Sequence, residues 1–113
     1  MQPMDIYIAN VPFDDKNLSK IRPALVVKVK DQLVNVFKIT SKFKNKSQFI
    51  NGFYYPIEEW KEAGLRKKSY VDTHKTYNLP EAMAFSKKPI GKLTDQDVIN
   101  LFKFINNWKQ KQG

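Results

Sequence analysis

Arg22-Pro23-Ala24-Leu25-Val26-Val27-Lys28-Val29-Lys30, then Asp31-Gln32, then Leu33-Val34-Asn35-Val36-Phe37-Lys38-Ile39-Thr40 is the stretch on which the fold turns. β-Branched and apolar residues crowd both arms, and such residues suit a pleated, half-buried surface. Only two polar residues separate the arms, so the stretch reads as a β-hairpin with a tight turn.

Working outward, Asp5 to Val11 reads as a preceding strand, and Pro12 to Lys20 as a polar loop. On the other side, Ser41 to Ser47 is a second polar loop carrying Lys42, Lys44 and Lys46. Gln48 to Tyr55 returns to β character, with Asn51-Gly52 marking a bulge or turn. Pro56 to Ala63 is expected to form a short helix, with Glu58 and Glu59 at its positive end and Gly64 as its cap. Ser69 to Tyr77 reads as another strand and Ala82 to Phe85 as a weak one. The period then changes. Thr94-Asp95-Gln96-Asp97 resembles a capping box, and Val98, Leu101, Phe102, Ile105 and Trp108 follow at helical spacing. A helix from about Asp95 to about Gln110, packed on a small β-barrel, is the simplest arrangement: a mainly β chain with helices. At 113 residues, a single domain over 1–113 is expected.

Composition narrows the chemistry. The chain has 20 Lys plus Arg against 11 Asp plus Glu, a formal net charge of +9. That field attracts nucleic acid, an acidic membrane surface or an acidic protein segment. Without cysteine there is no disulfide, thiolate zinc site or cysteine nucleophile. One histidine rules out a two-histidine acid/base pair within one chain. No basic region precedes a long apolar run, and the longest apolar stretch, Pro23–Val27, falls far below the ~20 residues that span a bilayer. A cytoplasmic protein is expected, with no membrane partner.

The charge is concentrated. Positions 11–50 hold nine basic residues against three acids, so +6 of the +9 lies there. Phe37, Phe43, Phe49, Phe53, Tyr54 and Tyr55 lie in or close to this stretch, and cations beside rings suit single-stranded nucleic acid as well as an ordinary core. Arg22 is one of two arginines among eighteen lysines. It stands where a loop enters a strand, and its guanidinium can grip a phosphate through two parallel hydrogen bonds. Thr40, Ser41 and Lys42 end the partner strand with two hydroxyls and an ammonium, at the same end of the hairpin as Arg22. Strand alternation puts Asp72 and His74 on one face, with Thr73 and Lys75 opposite. Asp72 beside a ribose 2′-hydroxyl can act as base or orienter; an Asp anchoring its own loop fits the sequence equally. Trp60 and Trp108 are assigned to packing, the helical stripe to core or dimer contact.

Read in order, these motifs resemble one family. Asp5-Ile6-Tyr7 with Val11-Pro12-Phe13 opens the pattern, and Lys20-Ile21-Arg22-Pro23-Ala24-Leu25-Val26-Val27 continues it. Ile39-Thr40-Ser41-Lys42, Ser69-Tyr70-Val71-Asp72-Thr73-His74-Lys75 and Ile90-Gly91-Lys92-Leu93-Thr94 complete it. The sequence is similar to the MazF/PemK toxins of bacterial toxin–antitoxin systems over about positions 4 to 106. The resemblance implies an SH3-like barrel plus a C-terminal helix, a homodimer, and a metal-independent, cofactor-free endoribonuclease that cuts single-stranded RNA. It also implies an acidic antitoxin whose tail occupies the RNA groove. Carried onto this chain, Arg22 serves phosphate binding and acid/base work, Thr40 stabilises the transition state, and Asp72 is a base or substrate contact. Lys16, Lys20, Ser41, Lys42, His74 and Lys75 border the substrate groove. The chain departs from the pattern twice: Met4 stands where members often have glycine, and Tyr70 where some have an arginine. Two other function classes fit the same barrel, a non-catalytic nucleic-acid-binding module and a toxin acting on a protein target such as gyrase.

Overall fold

Asp31 and Gln32 both adopt positive φ, 53° and 69°, the twist that a two-residue hairpin loop requires. The computed structural model describes residues 1–12, 19–42, 52–84 and 86–112. Around that turn, β2 (Ser19–Lys30) pairs with β3 (Leu33–Thr40). The other strands are β1 (Asp5–Pro12), β4 (Tyr54–Pro56), β5 (Tyr70–Pro80) and β6 (Gly91–Lys92). Two helices, α1 (Glu81–Ala84) and α2 (Asp95–Gln112), complete the chain. The sheet is antiparallel throughout, in the order β4-β5-β3-β2-β1-β6, and curls into a half-barrel.

Side-chain alternation splits the core between the two faces of this sheet. Ile6, Leu25, Ile39, Tyr55 and Val71 face one side, where Leu101 of α2 seals them, with Val98, Phe104 and Ile105 packed against the cluster. Tyr7, Ala9, Val11, Ala24, Val26, Val34, Val36, Tyr77 and Leu79 form a second buried cluster on the other side. Leu25, Ile39 and Leu101 are fully buried, and each such side chain contributes about 1.5–3 kcal/mol over an exposed one.

Several expectations are corrected. Residues 58–64 form a run of turns rather than a helix. The amide of Ala63 reaches the carbonyl of Glu59, but Gly64 bonds Lys61 and Leu65 bonds Trp60, so no two successive amides repeat the α-helical spacing. Of the weak strand expected at Ala82 to Phe85, residues 82–84 fall in α1 and Phe85 lies outside the described residues, while β6 supplies the sheet edge. Phe102 is 54% exposed. At about 100° per residue it sits at the rim of a stripe centred near Leu101 and Trp108. Of the strand read at Gln48 to Tyr55, only Tyr54 and Tyr55 fall in β4, while residues 48–51 lie outside the described residues.

Two backbone contacts tie the ends of the chain to the barrel. Met4, where glycine is common in the family it resembles, takes φ 74°. Its amide donates to Val26 O at 2.7 Å and its carbonyl accepts from Leu93 N at 3.0 Å. Gly64 (φ 93°) and Gly91 press their backbones together: a Cβ on Gly91 would overlap the Ala63 carbonyl, and one on Gly64 the Ile90 carbonyl. Gly91→Ala is therefore expected to cost about 1–3 kcal/mol by forcing the turn off β6. A urea titration should show a lower midpoint with an unchanged slope. Among the described residues, no helix is long and apolar enough to cross a membrane.

Candidate active site

Antiparallel partners present their side chains on the same face, so the register lays out the site in rows. Tyr7, Ala24, Lys38, Asp72 and Tyr54 are successive partners across β1, β2, β3, β5 and β4. In the adjacent row, Ala9 partners Arg22 and Tyr70 partners both Thr40 and Pro56. Arg22 and Thr40 each lie two residues beyond the Ala24–Lys38 pair, about 7 Å along their strands. The hairpin therefore carries both to the same end and the same face. Ala9 and Ala24, buried and small, form the floor between the polar groups.

Each polar group is held in a definite state. Thr40 Oγ1 accepts from the Lys42 amide at 3.1 Å, which leaves its own hydrogen to donate elsewhere. Asp72, 8% exposed, accepts from the His74 amide through Oδ1 at 3.0 Å. Its Oδ2 lies 3.6 Å from Lys38 Nζ in a half-buried ion pair. Arg22 is half-buried, and among the described residues its Nε is buried with no hydrogen-bond partner. A buried donor of this kind calls for an acceptor, and a phosphate oxygen is one that would suit it. Together these groups offer two cations, one hydroxyl donor and one carboxylate on one sheet face.

His74 does not join them. Alternation fails because Val36 pairs with Tyr77 while Lys38 pairs with Asp72, so Thr73 to Thr76 bulge opposite a single residue of β3. The His74 ring instead lies 4.8 Å from Phe53, whose ring also meets Trp108 at 4.8 Å. His74 and Lys75 line a cavity of about 590 Å³ between β5 and α2. Lys75 Nζ sits 5.2 Å over the Tyr77 ring. Lys20 is exposed in β2, two residues from Arg22 and on its face. Ser41 turns to the opposite side and lines a cavity of about 490 Å³ with Pro23, Ile39, Arg66 and Lys67. Lys42 is exposed just past β3, while Lys16 lies outside the described residues. Among the described residues, no three His, Asp or Glu side chains are grouped so as to hold a metal ion.

The family described as PemK-like, MazF-like toxin of type II toxin–antitoxin system matches the chain over residues 2–108. The chain belongs to that family. The toxin's fold is similar to that of the Mycobacterium tuberculosis toxin MazF-mt6, with a TM-score of 0.66 at 23% identity, covering 91% of this chain and 93% of that one. No curated protein matches by sequence. As a type II system toxin, the protein has an antitoxin as its partner. Composition and motif do not single out Lys38 or the flanking Tyr54 in this PemK-like toxin, yet both lie in the row that holds Asp72. The available signal was the period of two: Lys38 precedes Thr40 by two residues and so shares its face.

Proposed function

We propose that this toxin is an endoribonuclease that cuts single-stranded RNA by attack of a ribose 2′-hydroxyl on its own 3′-phosphodiester. The observation that carries the reading is the shared sheet face holding Arg22, Thr40 and Asp72. Asp72 takes the proton of the 2′-hydroxyl. Arg22 and Thr40 donate to the non-bridging oxygens, where negative charge grows. Preorganised donors of this kind are each worth about 10²–10³ in rate. The products are a 2′,3′-cyclic phosphate and a 5′-hydroxyl end. The nucleophile belongs to the substrate, so a chain without cysteine loses nothing. The excess of lysines in positions 11–50, Lys16, Lys20 and Lys42 among them, holds the flanking phosphates and makes binding salt-dependent. Lys75, its ammonium over the Tyr77 ring, borders the groove further out, while Ser41 and His74 turn away from this face. The working form is a cytoplasmic homodimer, silenced by an acidic antitoxin.

Incubation of the purified chain with defined single-stranded RNA tests the reading. Cleavage should persist in EDTA, and a 2′-deoxyribose at the cut site should make the substrate inert. Cleavage of the deoxy substrate would overturn the nucleophile. Intact RNA with strong, salt-sensitive binding would make the protein a binding module instead, and intact RNA with gyrase binding a toxin of a protein target.

A further inference from the structure

The ribonuclease reading leaves one proton without a source. When the 2′-oxygen bonds to phosphorus, the bond from phosphorus to the 5′-oxygen breaks, and that oxygen must leave as an alcohol. Asp72 removes a proton and cannot be the donor in the same step. Arg22 is a poor proton donor, because a guanidinium keeps its protons throughout the physiological range. His74, the customary donor at neutral pH, is drawn toward Phe53 and Trp108 by the bulge in β5.

Lys38 stands in the right place. It lies between Ala24 and Asp72 in the row beside Arg22 and Thr40, and its ammonium faces Asp72 Oδ2 at 3.6 Å. Both side chains are largely shielded from water, at 21% and 11% exposure. A carboxylate alone on this face would repel an incoming phosphodiester, and the ammonium beside it offsets that repulsion. An ammonium, with an ordinary pKa near 10.4, is also a much stronger acid than a guanidinium.

We propose that Lys38 is the general acid of this site, protonating the departing 5′-oxygen, and that its ion pair with Asp72 returns the proton afterwards. This rests on the ribonuclease reading above. In the forward step the O2′–P bond forms and the P–O5′ bond breaks. The 2′-hydroxyl proton goes to Asp72, and a Lys38 ammonium proton goes to O5′. The site is then left with a neutral carboxylic acid beside a neutral amine. Transfer of the proton from Asp72 to Lys38 restores the ion pair, with no oxidant, metal or second substrate. The arrangement accounts for a lysine at a half-buried strand position, where an apolar residue would pack with less desolvation cost. It also supplies a cation to Asp72 from the neighbouring strand, in a chain that has Tyr70 two residues before that aspartate.

The test compares two RNA substrates, one natural and one with sulfur in place of the bridging 5′-oxygen at the cut site. A thiolate leaves without protonation, so loss of the acid matters only for the oxygen substrate. Lys38→Ala should cut the natural RNA about 10²-fold more slowly, within the range of general acid catalysis, and the sulfur RNA within a few-fold of wild type. Lys38→Arg keeps the charge and the pair with Asp72, so it guards against a folding defect. It should show the same split between substrates. Equal losses on both RNAs, or full rescue by arginine on the natural one, would overturn the assignment by making Lys38 a positioning charge. The same split in Tyr70→Phe, with none in the Lys38 variants, would transfer the role to the tyrosine. Wild-type protein inert on both RNAs would instead overturn the ribonuclease reading, and the acid with it.

Discussion

Replacing Arg22 with alanine is expected to lower the rate of RNA cleavage about 10³-fold while the protein stays folded. The size follows from where the charge develops. The non-bridging oxygens gain negative charge only as the 2′-oxygen approaches, so a fixed donor aimed at them acts on the transition state more than on bound substrate. One such donor is worth about 10²–10³, and a guanidinium supplies two parallel hydrogen bonds. The fold should tolerate the change because Arg22 is only half-buried and belongs to neither buried cluster. A substitution that removes no core packing or buried bond usually shifts stability by less than about 0.5 kcal/mol. Arg22→Lys should recover only part of the rate, since a point charge lacks the planar fork. Single-turnover cleavage beside a thermal melt decides the matter. Wild-type rates in a folded Arg22→Ala protein would move the site elsewhere.

That prediction starts from a residue legible in the sequence. Arg-Pro-Ala before an apolar run fixed the strand, and two polar residues at 31–32 fixed the turn, so the hairpin followed from local chemistry alone. Pairing register then brought Arg22 and Thr40 together without further information. α2 was legible for the same reason, because its cap and its period of about 3.6 are local. β6 was not. Two residues, Gly91 and Lys92, are too short to carry a period, and their strand exists because β1 offers a free edge and the turn at Gly64 presses down on it. The expected helix at Pro56 to Ala63 failed for a related reason. Its acids and its glycine cap were correctly placed, but the segment is too short to settle into a regular ladder: past Ala63 the amides bond three and then five residues back, and Gly64 turns the chain against Gly91.

The site shows the same division. Arg22, Thr40 and Asp72 carry chemistry by residue type. Lys38 read as one more lysine in a strand until the register set it against Asp72. His74 misled because alternation assumes an unbroken ladder, and a four-residue bulge turns its ring away. Long-range pairing and its irregularities decided what periodicity could not.

Asp97 carries the second large effect, on stability instead of rate. It lies at the third position of the capping box and is fully buried. Thr94 Oγ1 accepts from its amide at 3.3 Å and in turn donates to Glu59 Oε1 at 2.6 Å. The carboxylate does not reach back to its own cap. It reaches out, accepting from the Glu58 amide at 3.1 Å, the Glu59 amide at 2.9 Å and the Tyr55 hydroxyl. Burial, followed by the bond to Asp97, pushes the Tyr55 phenol up, which keeps it a neutral donor. Three donors and the positive end of α2 thus stabilise one buried charge. Asp97→Ala strands all three donors, and a loss of this kind costs about 3–5 kcal/mol. Domains of this size are stable by only about 5–15 kcal/mol, so the urea midpoint should fall by about a fifth or more. Tyr55→Phe removes a single bond and should cost only about 0.5–1.5 kcal/mol. An alanine variant as stable as Tyr55→Phe would show that the turn does not depend on Asp97. Because this network packs on the sheet face opposite Arg22 and Lys38, the cleavage rate per folded molecule should stay at the wild-type value at low temperature. A rate that falls with stability would instead couple the buried carboxylate to the candidate site.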